Sequence, residues 1–512
     1  MDGEIFARKL KGFSRVSVLA AVVLAPWLFG SAAPWAYLLV CLVVGMGMAA
    51  WLLSLLRDRE ARIRASGLTF ALALLLAYVF VQMLPLPSSF VKVVSPVSAE
   101  APLKRSQIFA DIGATVFLSP DVSRTPSFAT LSASAACTQR SFYLLAAYIC
   151  VFLVMANTFR EWWQLRGAAT AIAISGFIMA VFGLLQKFSG TRDIYWFHTP
   201  RFGGNIFGPF TNRDHFAGYM NMAFGLTLGL LLAASRVPEL QSVRTFREKL
   251  VWLSSEKAGR ITLLSFAVVL MGATVCVSLS RGGITSLAAS LGLVGVFVAL
   301  RSAVPSRGRA IAAMAFLVVA GVIWLGWQPV VERLATLRDV AKDPLSDTRT
   351  VAALDTLRMF CAMPLFGCGF GCYQYVFPSF QSPGIQIGRF WHAHNDFAQL
   401  LAEGGVIGAA LVVLAAFLFL RTLRQRFPNA TSPGRLMVGG LAVGIVAIAL
   451  HSFVDYGLHK PASAFLLATL CGMSISAVHL RHQKKRRKVK VKRNHGIQKI
   501  VEKLPFIGSP PT

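Results

Sequence analysis

Charge is scarce in this chain of 512 residues, at 14%, against roughly a quarter in an average soluble domain. Acidic residues are scarcer still, with 22 Asp or Glu against 51 Lys or Arg, a net charge of +29. A soluble chain of this length would hide its apolar residues in two or three cores and carry far more charge. Cysteine is thin too: eight, at 41, 137, 150, 276, 361, 368, 372 and 471, too few and too irregular for a disulfide framework or a zinc site. Cys361, Cys368 and Cys372 are close enough for a disulfide if their loop is oxidising; three packed thiols fit the spacing equally well. The first apolar run lacks a clear small-residue cleavage site and a second run follows at once, so no cleaved signal peptide is expected. An internal repeat is also missing, which gives an inverted-repeat transporter no support.

What is present is apolar: 55% of residues are hydrophobic and 38 are Phe, which excludes disorder. A basic balance usually points to nucleic acid, but it fits badly with so apolar a chain. An integral membrane protein fits both numbers, because Lys and Arg hold helix ends on the cytoplasmic side. A spanning helix needs ~20 apolar residues. About twelve such segments are legible, near 14–31, 34–56, 67–86, 141–158, 167–186, 215–234, 261–279, 283–300, 309–328, 398–420, 435–455 and 461–480. The expected fold is therefore an all-α integral membrane protein of about 12 transmembrane helices.

Orientation follows from the basic residues. With Arg8, Lys9, Lys11 and Arg15 in the cytoplasm, the inward connections carry Arg57, Arg59, Arg62 and Arg64; Arg160 and Arg166; Arg236, Arg244, Arg247, Lys249, Lys257 and Arg260; Arg301, Arg307 and Arg309; and Arg421, Arg424, Arg426 and Arg435. Every inward segment obeys the rule, which predicts an even number of spans with both termini inside. The tail RHQKKRRKVKVKRNH from Arg481 reads as an orientation anchor that also touches anionic membrane lipids, at ~1 kcal/mol per basic residue. No aromatic is interleaved to stack on bases, so no nucleic acid is expected. The chain divides into spans 1–4 (1–160, with the outward loop 87–140), spans 5–9 (161–328), a large outward loop (329–397), spans 10–12 (398–480) and the tail (481–512).

Three outward segments are long: 87–140, 187–214 and 329–397. Loops longer than about 15 residues are uncommon unless functional. His198, His215, His392, His394, His451 and His459 fall in or beside outward segments, against His479, His482 and His495 inside. Ionisable groups near membrane depth are costly and functional by default. Four clusters stand out. Asn212, Arg213, Asp214 and His215 open the sixth span; a helix cap explains one of them but not four. Ser278-Leu-Ser-Arg281-Gly-Gly283 puts an arginine at the outer interface, against the inside bias. A snorkelling arginine is the plain alternative, but guanidinium forks onto phosphate. Ser346-Asp-Thr-Arg349 opens an amphipathic stretch with Ala353, Leu354, Leu357 and Phe360 at helical spacing, Ser346 or Asp347 as its cap. Gly367, Gly369 and Gly371 beyond it loosely resemble a phosphate cradle. Last, Trp391-His-Ala-His394-Asn-Asp396 runs into the tenth span, with Glu403 two turns on. His392 and His394 lack the spacing of a helical zinc site. A single histidine as general base is simpler, since its ordinary pKa of about 6.5 suits proton removal near neutrality.

Taken together, HNDFAQLLAEGGVIGA, SRGG, FTNRDHFAGYM and RTVAALDTLRMFCAMPLFGCGFGCY, on one face, resemble the O-antigen ligase and O-antigen polymerase family of bacteria, which also holds protein O-oligosaccharyltransferases. The likeness covers roughly 170–470. It implies a C-type glycosyltransferase-like fold in the inner membrane, with its active face periplasmic. It implies an undecaprenyl-diphosphate-linked oligosaccharide as donor, a glycan, lipid A-core or protein acceptor, and neither metal nor cofactor. His394 would activate the acceptor hydroxyl, and Arg281 and Arg349 would hold the diphosphate. Asn212, Asp214, His215, His392, Asn395, Asp396 and Glu403 would bind substrate. Arg213-Asp214 and the extra His392 depart from the family's pattern. A flippase-like transporter, the competing class, predicts charges in mid-span and repeat symmetry. A scaffold predicts no outward His/Arg cluster.

Overall fold

The computed structural model describes residues 2–57, 63–96, 127–200, 204–235, 254–301, 332, 335, 347–382 and 390–480. The expected span 309–328, the middle of the loop 87–140, residues 336–346 with Ser346, the basic tail, and Arg59, Arg62, Arg236, Arg244, Arg247, Lys249, Arg307 and Arg309 lie outside the described residues.

The protein is an all-helical integral membrane protein. Its helices are α1 (Asp2–Leu24), α2 (Pro34–Arg57), α3 (Ser66–Val81), α4 (Ser88–Val94), α5 (Ala135–Thr158), α6 (Trp162–Phe188), α7 (Arg213–Ala234), α8 (Glu256–Val277), α9 (Arg281–Arg301), α10 (Thr348–Ala362), α11 (Tyr373–Val376), α12 (Asp396–Arg426), α13 (Ser432–His451) and α14 (Pro461–Val478). Among the described residues, nine helices are long and apolar enough to cross a membrane, and two shorter apolar ones lie at Ser66–Val81 and Arg281–Phe297. These eleven match eleven of the twelve expected spans. The sole sheet among the described residues is a two-stranded pairing of Leu86–Pro87 with Phe128–Ala129.

Polar side chains start the helices where the sequence supplies them. Asn212, Ser255, Asp347, Asn395 and Thr431 each accept from a backbone N–H of the first turn, satisfying donors that have no partner within the helix. Several ends differ from expectation, among them both ends of α1, the end of α3, the starts of α5, α6 and α8, and the ends of α12 and α13. The first helix begins at Asp2 rather than near 14; its Arg8 and Lys9 are exposed and the helix simply carries them. The eleventh span stops at His451 rather than 455, because the next residues turn back over that end of the bundle.

α7 is the hub, buried from Asp214 to Leu231. It crosses α13 at a seam of small residues. A Cβ on Gly225 would strike the backbone of Gly444, and one on Gly440 would strike Gly229. With no hydrophobic force between helices in lipid, such close backbone approach supplies the packing. It also fixes the start of α7 and the end of α13 side by side.

α12 is broken. Gly405 has φ 61° and ψ −169°, which an L side chain rarely adopts. The break frees backbone groups that membrane depth would penalise, and the irregular run 364–369 takes them up. Val406 N–H donates to the Pro364 carbonyl (2.8 Å), while Cys368 and Gly369 N–H donate to the carbonyls of Ala402 (2.9 Å) and Glu403 (3.0 Å). Tyr78 Oη donates to the Gly404 carbonyl at 2.6 Å. Gly367, Gly369 and Gly371 all have positive φ and press on Glu403, Ser132 and Ser141. Their spacing serves this close packing, which corrects the phosphate-cradle reading.

α10 is amphipathic, but its buried side differs from the expected Ala353-Leu354-Leu357-Phe360 stripe. Ala352, Asp355, Thr356 and Met359 are buried, while Leu354 and Leu357 are 43% and 40% exposed. The polar residues bury because they find partners. Asp355 accepts from Ser382 N–H and from Arg358, and Thr356 pairs with the Tyr373 hydroxyl.

Candidate active site

Five segments converge at one end of the bundle: the start of α7, the start of α9, the start of α10, the run 390–396 entering α12, and the turn 452–460 between α13 and α14. The first four carry the clusters expected from sequence. The fifth completes the site.

Arg349 Nη2 donates to Asp214 Oδ2 at 2.9 Å, and Ser280, one residue before Arg281, hydrogen-bonds the same carboxylate. Burial works against the Arg349 charge, but Asp214 outweighs it and holds the guanidinium above its ordinary pKa. His394 stands close to Arg349 with φ 52°, a left-handed backbone that costs energy in a residue with a side chain and is typical of functional sites. Its Nδ1 is buried without a hydrogen-bond partner. Burial, and then the Arg349 charge, push its pKa down to about 4, so the imidazole is neutral at physiological pH.

Asp455, in the turn, sits between two histidines. Its Oδ1 is 3.7 Å from His215 Nε2 and its Oδ2 is 3.3 Å from His451 Nε2, and all three residues are about 1% exposed. Burial alone would raise the carboxyl pKa; the two histidines outweigh it and lower it. The next residue, Tyr456, is the ring on which the histidines meet. Its centroid lies 4.6 Å from His215, 4.5 Å from His392 and 4.7 Å from His394. The Lys460 ammonium covers the same ring at 5.1 Å, and burial pushes it down to about 8. Burial also raises the Tyr456 phenol.

Asp396 staples the turn to the start of α12. It accepts from Ser452 Oγ (2.8 Å) and Leu458 N–H (3.3 Å) and pairs with His459 Nδ1 (2.7 Å). Burial opposes the His459 charge, yet the bond to Asp396 raises its pKa. His392 Nδ1 meets Gln399 Nε2 at 3.2 Å; burial and the neighbouring His459 and Lys460 hold it well below an ordinary histidine.

The expected residues thus divide. Asp214, His215, Arg349, His392 and His394 are brought together. Arg281 is the first residue of α9 and half-buried; a Cβ on its neighbour Gly282 would lie 3.6 Å from His451 Cε1. Asn212 and Asn395 cap α7 and α12. Glu403 lies a step away and is spent on backbone: its carboxylate accepts from Gly371 and Tyr373 N–H and from Gln399. Asp455, Tyr456 and Lys460 were not singled out from the sequence. Their signal was the dense run His451-Ser-Phe-Val-Asp-Tyr-Gly-Leu-His-Lys460, which begins inside an apolar window and was absorbed into it.

Among the described residues, ten buried side-chain atoms have no hydrogen-bond partner, and six of them belong to His215, His394, His451 and Asp455. Four of the six face one another in the Asp455–His215 and Asp455–His451 pairs, which leaves His394 Nδ1 and His451 Nδ1 without a partner at this spot; native structures tolerate few such groups. No group of three or more His, Cys, Asp or Glu among the described residues could hold a metal ion.

Residues 266–413 match the O-antigen ligase family. The matched stretch holds Arg281, Arg349, His392, His394 and Glu403, and lies within the 170–470 resemblance seen in the sequence. No curated protein matches the chain.

Proposed function

We propose that this chain, which carries an O-antigen ligase domain over residues 266–413, transfers a glycan from undecaprenyl diphosphate to an acceptor hydroxyl on the periplasmic face of a bacterial inner membrane. One observation carries the reading: a fixed guanidinium, Arg349, stands beside a neutral histidine, His394, whose Nδ1 is buried and unpartnered. That is what a glycosyl transfer from a diphosphate requires.

In this reading the acceptor oxygen attacks the anomeric carbon. The bond from that carbon to the diphosphate oxygen breaks, and the electron pair leaves with the lipid diphosphate. Arg349 and Arg281 bind that leaving group, whose charge grows as the bond breaks. The acceptor proton passes to His394. A histidine held near 4 is a weak base at rest. A bound diphosphate offsets the Arg349 charge that helps depress it, so the substrate itself raises the basicity of His394. Asp455, between His215 and His451, supplies fixed negative charge behind the imidazole cluster and favours its protonated form. The orientation rests on the basic residues gathered at the other end of the bundle, and the gathering of polar groups at one end of the spans speaks against a transport path.

The acceptor is a glycan repeat, the lipid A core or a protein Ser/Thr hydroxyl. A neighbouring flippase and chain-length regulator in the genome would favour the polymerase, and neighbouring core-sugar enzymes the ligase. The direct test reconstitutes the purified protein with undecaprenyl-diphosphate-linked glycan and each acceptor in turn, following glycan transfer and release of lipid diphosphate. Wild-type transfer by a well-folded His394→Ala protein would sink the assignment.

A further inference from the structure

The cysteines are not absorbed by this chemistry, and the fold pairs them differently from their spacing. Cys361 is exposed at the last turn of α10. Cys368 is buried, its Sγ turned to the Gly369 carbonyl at 3.6 Å. Cys372 faces the first turn of α5. Its Sγ is 3.2 Å from Ser132 Oγ and 3.5 Å from the Ser134 carbonyl, and it hydrogen-bonds the Cys137 side chain. The backbones touch as well: a Cβ on Gly371 would lie 3.0 Å from the Cys137 carbonyl oxygen. Two thiols in contact, on backbones this close, meet the reach that a disulfide requires. Both belong to the end of the bundle that holds the active site.

We propose that Cys137 and Cys372 are joined by a disulfide in the mature protein. The bond would tie α5 to the glycine run 367–372, the segment that Glu403 and the broken helix α12 also hold. This rests on the outward reading of that face, where thiols are oxidised rather than kept reduced. In the reaction one cysteine thiolate attacks the disulfide of a thiol–disulfide oxidoreductase, forming a mixed disulfide and releasing one thiolate of that oxidant. The second cysteine thiolate then displaces the other. The two protein thiols lose two electrons and two protons, and the oxidant leaves as a dithiol. The Cys137 hydrogen bond and burial hold the Cys372 thiol well above its ordinary pKa, so exchange is fastest before the loop closes.

The test counts thiols. The full-length protein, acid-quenched on isolation from its host so that thiols neither exchange nor oxidise, is denatured and treated with a mass-tagging maleimide. Six of the eight cysteines should take the tag without reductant and all eight after reduction, and peptide mapping should recover a Cys137–Cys372 link. In Cys372→Ser, all seven remaining thiols should react with or without reductant. Eight reactive thiols in the unreduced wild type, or a link through Cys361 or Cys368, would overturn the proposal. A membrane-impermeant maleimide applied to the outer face, with Cys361→Ser as its control, separates the two readings. Failure to label the exposed Cys361 would sink the outward orientation, while the thiol count alone decides the pairing.

Discussion

The two ends of the helix bundle both use arginine, and they use it in opposite ways. At the end away from the site, Arg64 Nη1 donates to the carbonyls of Ala156 (3.1 Å) and Phe159 (3.2 Å), and its backbone N–H to Asn157 Oδ1 (2.7 Å). Arg15 donates to the Thr158 carbonyl at 3.3 Å. These cations close the C-terminus of α5, where unpaired carbonyls and the helix dipole welcome positive charge. At the other end Arg349 meets a carboxylate and stands near His394, whose buried Nδ1 lacks a hydrogen-bond partner. One end is chemically finished and the other is not. The difference separates arginines paired with backbone carbonyls from an arginine paired with a carboxylate inside the candidate site.

The largest effect should come from the unfinished end. His394→Ala should lower glycan transfer by roughly 10²–10⁴-fold, the usual range for a lost general base, at unchanged protein level in the membrane. Arg349→Lys and Arg281→Lys keep the charge but lose the fork. Each should cost about 10- to 100-fold in transfer from the diphosphate donor, measured in liposomes; unchanged rates in both would leave the diphosphate without its proposed clamp. Asp455→Asn removes the charge between His215 and His451 and should cost about 10-fold, seen in kcat more than in KM.

The pH profile sharpens the contrast further. With its pKa near 4 in the free protein, His394 stays neutral as pH falls from 7 to about 5. So kcat/KM, which reports the free protein, should hold there and drop only on approach to 4, while kcat should fall at a higher pH once bound diphosphate has raised the basicity. A kcat/KM midpoint near 6.5 would mean an ordinary, water-exposed imidazole. Linkage gives the stability sign. Below pH 6.5 an unfolded His394 binds a proton that the folded one refuses, so its contribution to stability is full above 6.5 and is lost as pH falls through about 4. The smallest effect on catalysis belongs to the finished end. Arg64→Ala should cost about 1–3 kcal/mol of stability, read as a lower melting temperature in detergent, with turnover per folded molecule unchanged. A turnover loss as large as that of Arg349→Lys would erase the distinction between the ends.

Much of this was legible in the chain. Hydropathy located eleven helices within a few residues at most ends, since a membrane demands long apolar runs whatever the tertiary packing. His394, Arg281 and Arg349 were legible because charge is expensive beside an apolar span. What escaped did so for physical reasons. Asp455 and Tyr456 begin a polar turn that hydropathy averages into the span before it. The glycines at 367, 369 and 371 carry no sign of what they touch, and only the break at Gly405 explains them. Leu354 and Leu357 suggested the buried face of α10, yet Asp355 and Thr356 took it by finding partners.

By itself, then, the sequence determined the membrane class, the helices and the end of the bundle at which most of the candidate residues gather. These depend on local composition, which water and lipid read directly. Tertiary structure decided which residues meet. His215 and Asp455 stand 240 positions apart, and they come within 3.7 Å because α7 and α13 cross at glycines that allow their backbones to touch. Such a meeting is set by packing across the bundle, and no local pattern along the chain encodes it.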